Sequence, residues 1–176
     1  MATTWRDLLR TGLRAVARAA RAGTRPRSGS RTRALPRPSG HVALPDFPRR
    51  VMPVYAPRLD GDADPGEVVW TWVPYEDDPS QGKDRPVLVI GHDEPYLLGL
   101  MLTSKDHTRS AAAEARRGRH WMDIGSGDWD AQHRPSEVRL DRVLRIDPGA
   151  VRREGAIMPK AVFDAVAASL AEVKGW

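Results

Sequence analysis

The 176-residue chain contains no cysteine, so it can form neither a disulfide framework nor a thiolate metal site. Lysine is nearly as scarce: Lys83, Lys105, Lys160 and Lys174 are the only four, and arginine carries almost all the positive charge. No apolar run approaches the roughly 20 residues that a membrane-crossing helix needs. The N-terminus also lacks the continuous apolar stretch of a secretory signal. The five histidines show neither HExxH nor paired-ligand spacing. A cytoplasmic chain with no metal and no cofactor is therefore expected.

Acidic residues are rare in one part of the chain only. Residues 1–60 hold 13 Arg, no Lys and the three acids Asp7, Asp46 and Asp60, a net charge of +10. Residues 61–176 hold 15 Lys or Arg and 20 acids, a net charge of −5. The overall +5 thus belongs to the N-terminal third, and nucleic-acid binding by the rest must rest on local charge placement.

Three segments follow. In 1–22, Trp5, Leu8, Leu9, Leu13, Val16, Ala17 and Ala20 recur at helical spacing. Five arginines line another face of this basic amphipathic helix. Residues 23–60 read as an Arg- and Pro-rich linker, expected to be disordered over 23–50, with Val54-Tyr55 read as a candidate short edge strand. From 61 to 176 the pattern becomes that of one folded domain. Val68, Trp70 and Trp72 alternate with Val69, Thr71 and Val73, so both faces of that strand are expected to be covered. Pro86–Gly91 and Tyr96–Thr103 read as the next two strands, joined by a turn at 92–95. Residues 110–117 read as irregular. Shorter strands are expected over 120–124, 137–140 and 143–146. Pro159 opens a terminal amphipathic helix reaching Lys174, with Pro159 at its first position. Many short strands and one closing helix indicate a mainly β (α+β) domain, a small bent antiparallel sheet or barrel.

The chemistry-bearing residues cluster at strand ends. Pro86 biases Arg85 towards extended backbone, and a guanidinium can hold a phosphate through two parallel hydrogen bonds. Thr103 and Ser104 end the third strand, where their hydroxyls matter only if the fold brings them beside Arg85. His107 is, by residue type, a candidate general acid or base, although a loop histidine is more often merely solvated. Trp121 and Trp129 can stack on unpaired bases or anchor a long loop from inside.

GEVVWTWVPYEDDPSQGKDRPVLVIG, then LMLTS, then SEVRLDRVLRID before the last helix, resembles the MazF/PemK toxin family over about Gly66 to Trp176. SQG-x-x-RPVLVI is the most specific element. The resemblance implies an SH3-like small barrel with a C-terminal α-helix, a homodimer and a cognate antitoxin. It also implies metal-independent cleavage of single-stranded RNA through attack by the 2′-OH. Arg85 and Thr103 then match the catalytic pair. Ser80 and Gln81 match the loop over the scissile nucleotide, with Lys83, Ser104 and Lys105 as further RNA contacts. The chain departs from the pattern in three respects, one being that the WMDIGSGDWD loop is not a standard family element. The usual glutamate of the loop is absent, and Glu76, Asp77, Asp78 and Asp84 surround a site meant for a polyanion, which requires turning them away or pairing them, for example with Lys83 or Lys105.

Other readings stay open. The same barrel can be a non-catalytic module binding nucleic acid or protein, and a related barrel poisons gyrase. The basic N-terminal segment can bind nucleic acid, lie on an anionic membrane, dock a protein, or be a weakly constrained extension with Met52 as an alternative start.

Overall fold

A computed structural model of the protein describes residues 35–36, 43–58, 60–107 and 110–176. The helix expected over 4–22 lies outside these residues, as does the linker up to residue 42 apart from Leu35-Pro36. In chain order the elements are β1 (Leu35–Pro36), β2 (Glu67–Pro74), β3 (Gln81–Asp93), β4 (Tyr96–Thr103), α1 (Ala111–Arg116), β5 (Trp121–Gly125), β6 (Ser136–Arg139), β7 (Leu144–Ile146), β8 (Arg153–Ile157) and α2 (Lys160–Lys174). The strands run β5-β6-β4-β3-β2-β8 in one antiparallel sheet, with β1 on β3 and β7 on β4. The expected class, mainly β with a C-terminal helix, is the one observed.

The sheet curls because β4 has to serve two partners on one edge. It bonds β7 through Leu97–Gly99 and β6 through Leu102 and Thr103. Gly99 lies where these ladders diverge. A Cβ there would come within 2.5 Å of Val87 Cγ1 and 3.1 Å of the Leu88 carbonyl oxygen, so the backbones approach closely only because the side chain is missing.

Strict alternation then sorts the apolar residues onto two faces. Val68, Leu88, Ile90, Leu98, Leu100, Leu102 and Val138 form the main core with Phe163, Val166 and Leu170 of α2. Val69, Val73, Val87, Val89, Met101, Leu144 and Ile146 form a second cluster on the opposite face. Helix α2 is held by its i, i+3, i+7 stripe, and Gly175 stops it in the left-handed region (φ 66°). Pro159 is its N-cap rather than its first residue.

Four local expectations are revised. Strand β3 begins at Gln81 rather than Pro86, because Gly82, Lys83, Asp84 and Arg85 already pair with Pro74, Val73, Trp72 and Thr71. The stretch 110–117 contains helix α1. Its AAAEAR sequence has strong intrinsic helix preference, and Glu114 turns inward to accept from Trp121 Nε1 at 3.3 Å. Strand β8 went unread because REGAI has no apolar alternation, and its pairing with β2 is a tertiary event. Finally, part of the stretch read as linker packs on the domain. Phe47 and Val51 are buried in the main core, and Tyr55 meets Phe163 edge-on at 5.2 Å. Val54 forms no strand, although its N–H bonds the Ile90 carbonyl at 3.1 Å.

Candidate active site

Register places Arg85 opposite Thr103. Val87 pairs with Met101 at the end of the β3–β4 ladder, and the same register continued two residues beyond it sets Arg85 opposite Thr103. Arg85 Nη1 donates to Thr103 Oγ1 at 3.3 Å. The same hydroxyl oxygen accepts the Lys105 N–H at 3.2 Å. With its oxygen receiving two hydrogens, the Thr103 hydroxyl has its own hydrogen left to donate. Thr103 is only 4% exposed, so its position is fixed by the sheet.

Burial pushes the Arg85 pKa down from its ordinary value, and Tyr75 acts in the opposite direction. Among the described residues no carboxylate hydrogen-bonds or ion-pairs with Arg85. A desolvated cation whose only bonded partner is a neutral hydroxyl favours an incoming anion. A cleft of about 130 Å³ opens beside it, lined by Tyr75, Glu76, Asp77, Met101, Arg119 and Arg139 among others.

The acids around this cleft are mostly engaged, and by arginines rather than by the lysines that sequence proximity suggests. Glu76 bonds Arg139, and Arg119 approaches it at 3.8 Å. Asp84 forms an ion pair with Arg152. Asp78 accepts from Ser80 Oγ at 2.5 Å, from the Ser80 N–H at 3.1 Å and from Gln81 Nε2 at 2.8 Å. Those bonds, led by the Ser80 hydroxyl, hold the Asp78 carboxyl below its usual pKa. Asp77 is exposed.

Ser80 and Gln81 are therefore exposed but folded back onto Asp78, away from a shared role with Arg85. Gly82 after them is sterically required. A Cβ there would sit 2.3 Å from the Val73 carbonyl oxygen and 2.6 Å from the Trp72 ring. Lys83 is two residues from Arg85 in β3 and so shares its face. Ser104 and Lys105 are exposed and line a separate cleft of about 360 Å³ with Asp106, Asp123 and Glu137.

Sequence reading passed over Tyr75, Arg119, Arg139 and Glu137, which reach the site through loops and strands distant in the chain. The alternation SEVR was the one available signal, since it places Glu137 and Arg139 on a common face. His107 is not a solvated loop residue: its Nδ1 lies 2.7 Å from Glu137 Oε2 and its ring is stacked on Trp121. Trp129 is the internal anchor, 2% exposed with its Nε1 donating to Ser136 Oγ at 3.1 Å. Among the described residues no group of three or more His, Asp or Glu side chains could hold a metal ion. No described helix is long and apolar enough to cross a membrane.

Among curated proteins, none matches the chain. Its fold is similar to a solved structure described as a crystal structure of MazE-MazF (Form-II) from Deinococcus radiodurans, with 19% sequence identity and a TM-score of 0.46, covering 66% of this chain and 98% of that one. A family profile described as PemK-like, MazF-like toxin of type II toxin-antitoxin system matches residues 64–173. That span takes in the SQG-x-x-RPVLVI strand, the Thr103 strand end and helix α2, so the chain belongs to the PemK-like, MazF-like toxin family.

Proposed function

We propose that the protein is an endoribonuclease that cleaves single-stranded RNA, acting as the toxin of a type II toxin–antitoxin pair. The observation that carries this reading is the half-buried Arg85 guanidinium, which among the described residues bonds only the Thr103 hydroxyl, at 3.3 Å, beside an open cleft. RNA supplies its own nucleophile, the 2′-OH, so the protein must orient that oxygen, stabilise charge gathering on the phosphoryl oxygens and move protons. Arg85 presents two donors to the phosphoryl oxygens, and Thr103 adds a third through its hydroxyl hydrogen. Because no carboxylate among the described residues competes for Arg85, its charge is available to the transition state. The products are a 2′,3′-cyclic phosphate and a 5′-OH end. Lys83, Ser104 and Lys105 are the proposed contacts to flanking nucleotides. Ser80 and Gln81 join them only by exchanging Asp78 for RNA. A cognate antitoxin and a second copy of the chain are the proposed protein partners, and the reaction is proposed to need no metal.

The test is cleavage of single-stranded RNA by the purified full chain in EDTA, with the product ends analysed. Arg85→Ala is expected to reduce the rate at least about 10²–10³-fold, the usual cost of removing one oxyanion donor. Wild-type cleavage rates in Arg85→Ala would remove the assigned mechanism.

One observation favours a second reading, a non-catalytic binding module of the same family. The loop serine and glutamine are occupied by Asp78, and the Thr103 side chain is almost inaccessible. RNA binding without any product, across varied sequences, selects that reading.

A further inference from the structure

Arg85 and Thr103 belong to a longer polar row. Across the face that carries the second apolar cluster, Thr71 in β2 pairs with Arg85 in β3, and Arg85 bonds Thr103 just beyond the last β3–β4 pair, Val87–Met101. Thr103 in turn pairs with Glu137 in β6, and Glu137 with Asp123 in β5. Directly opposed residues in an antiparallel ladder project to the same face with Cβ atoms about 4.5–5.5 Å apart. Glu137 is therefore the immediate neighbour of Thr103 on the side away from Arg85.

Glu137 holds a histidine. Its Oε1 accepts the His107 backbone N–H at 3.0 Å, and its Oε2 lies 2.7 Å from His107 Nδ1. The imidazole lies flat on the Trp121 indole, with centroids 4.0 Å apart and planes 2° from parallel. Trp121 is itself fixed by its Nε1 bond to Glu114 at 3.3 Å. These contacts hold the ring in one position. In the tautomer whose Nδ1 donates to the Glu137 carboxylate, Nε2 carries a lone pair.

We propose that His107 is a third catalytic residue, the general base that takes the proton of the attacking 2′-OH, with Glu137 as its positioning residue. This inference rests on the endoribonuclease reading above. As the 2′-oxygen bonds to phosphorus, its proton passes to His107 Nε2. The bond from phosphorus to the 5′-oxygen breaks, and the departing oxygen takes a proton from water. The hydroxide left behind is neutralised by the imidazolium, which returns the ring to its starting state. The Glu137 carboxylate behind Nδ1 stabilises the imidazolium while it exists. The charged groups around the ring are Glu137 from β6, Glu114 from α1 and Arg139, whose guanidinium lies 5.8 Å over the same indole. Arg119 faces Glu114, Asp123 pairs with Glu137, and Lys105 and Asp106 precede the histidine in the chain.

The test compares the full chain with His107→Gln, His107→Ala, Glu137→Gln and Arg85→Ala on an oligoribonucleotide that the wild type cuts. kcat/KM is measured against pH, alongside affinity for the same oligonucleotide carrying a 2′-deoxy sugar at the cut site. His107→Gln is expected to lower kcat/KM about 10²–10⁴-fold and to abolish the fall on the acid side of the profile, with 2′-deoxy affinity unchanged. Free imidazole is expected to restore cleavage to His107→Ala and not to Arg85→Ala. Glu137→Gln should retain RNA affinity and shift the acid limb. An unaltered pH profile in the His107 variants, or no imidazole rescue together with lost 2′-deoxy binding, would show that His107 merely anchors its loop. Arg85 and Thr103 would then stand without it. Absence of cleavage by the wild type would instead overturn the endoribonuclease reading, and this inference with it.

Discussion

Arg85 and Asp141 show how differently the fold treats two half-buried charges. Arg85 is desolvated without a carboxylate, which disposes it to bind an anion. Asp141 is desolvated too, but bonds from Arg139 and from the His120 N–H outweigh the effect of burial and hold its pKa below the ordinary carboxylate value. A carboxyl with a depressed folded pKa stabilises the protein above its unfolded value of about 3.9, and that contribution is lost as pH falls through the folded value. Asp141→Asn is therefore expected to cost up to about 3 kcal/mol near neutrality. The difference from wild type in melting temperature should shrink below about pH 4. A difference that stays constant down to pH 2 would contradict the assignment. Arg85 was legible at this scale because the Arg-Pro step before an apolar run is a local signal. Asp141, Arg139 and Glu76 were not, since their partnership spans the chain from Glu76 in the β2–β3 loop to Asp141 after β6.

Among the elements, the strands with clean alternation were readable, and β4 agrees with its expected bounds of Tyr96–Thr103. Elements whose stability comes from a neighbour were missed. Strand β8 exists because β2 has an edge to pair. The first residues of β3 are polar, yet they join the ladder because Gly82 lets the chain lie against Trp72. The segment 43–58 extends the same lesson. It has only a few scattered apolar residues, but Phe47 fills the main core, its N–H bonds the Val143 carbonyl at 2.8 Å, and Asp46 pairs with the buried Arg142 at 2.6 Å. Phe47→Ala is expected to destabilise the protein by about 3–5 kcal/mol, as loss of a buried phenyl ring does. Denaturant unfolding checks this, and a change below about 1 kcal/mol would mean that the segment is not part of the core.

Over the whole molecule, charge is divided more sharply than the chemistry alone would require. Residues 1–42 carry ten Arg and one acid, a net charge of +9, while 61–176 carry −5. If RNA is the substrate, the positive segment is expected to supply much of its non-specific attraction. Removing residues 1–42 should therefore weaken single-stranded RNA affinity and flatten its salt dependence, which steepens by about 0.7 per phosphate neutralised. Identical salt slopes with and without those residues would assign them another role. The sequence by itself determined the strand periodicity, the C-terminal helix, the charge division and the motif that points to the family, because each is written in residues close together in the chain. Only the tertiary structure decided that Arg85 meets Thr103. It also decided that arginines rather than lysines hold Glu76 and Asp84, and that Glu137, paired with Thr103, holds His107. Those contacts depend on which strands become neighbours and in what register, a choice made by burying two apolar faces of one curled sheet.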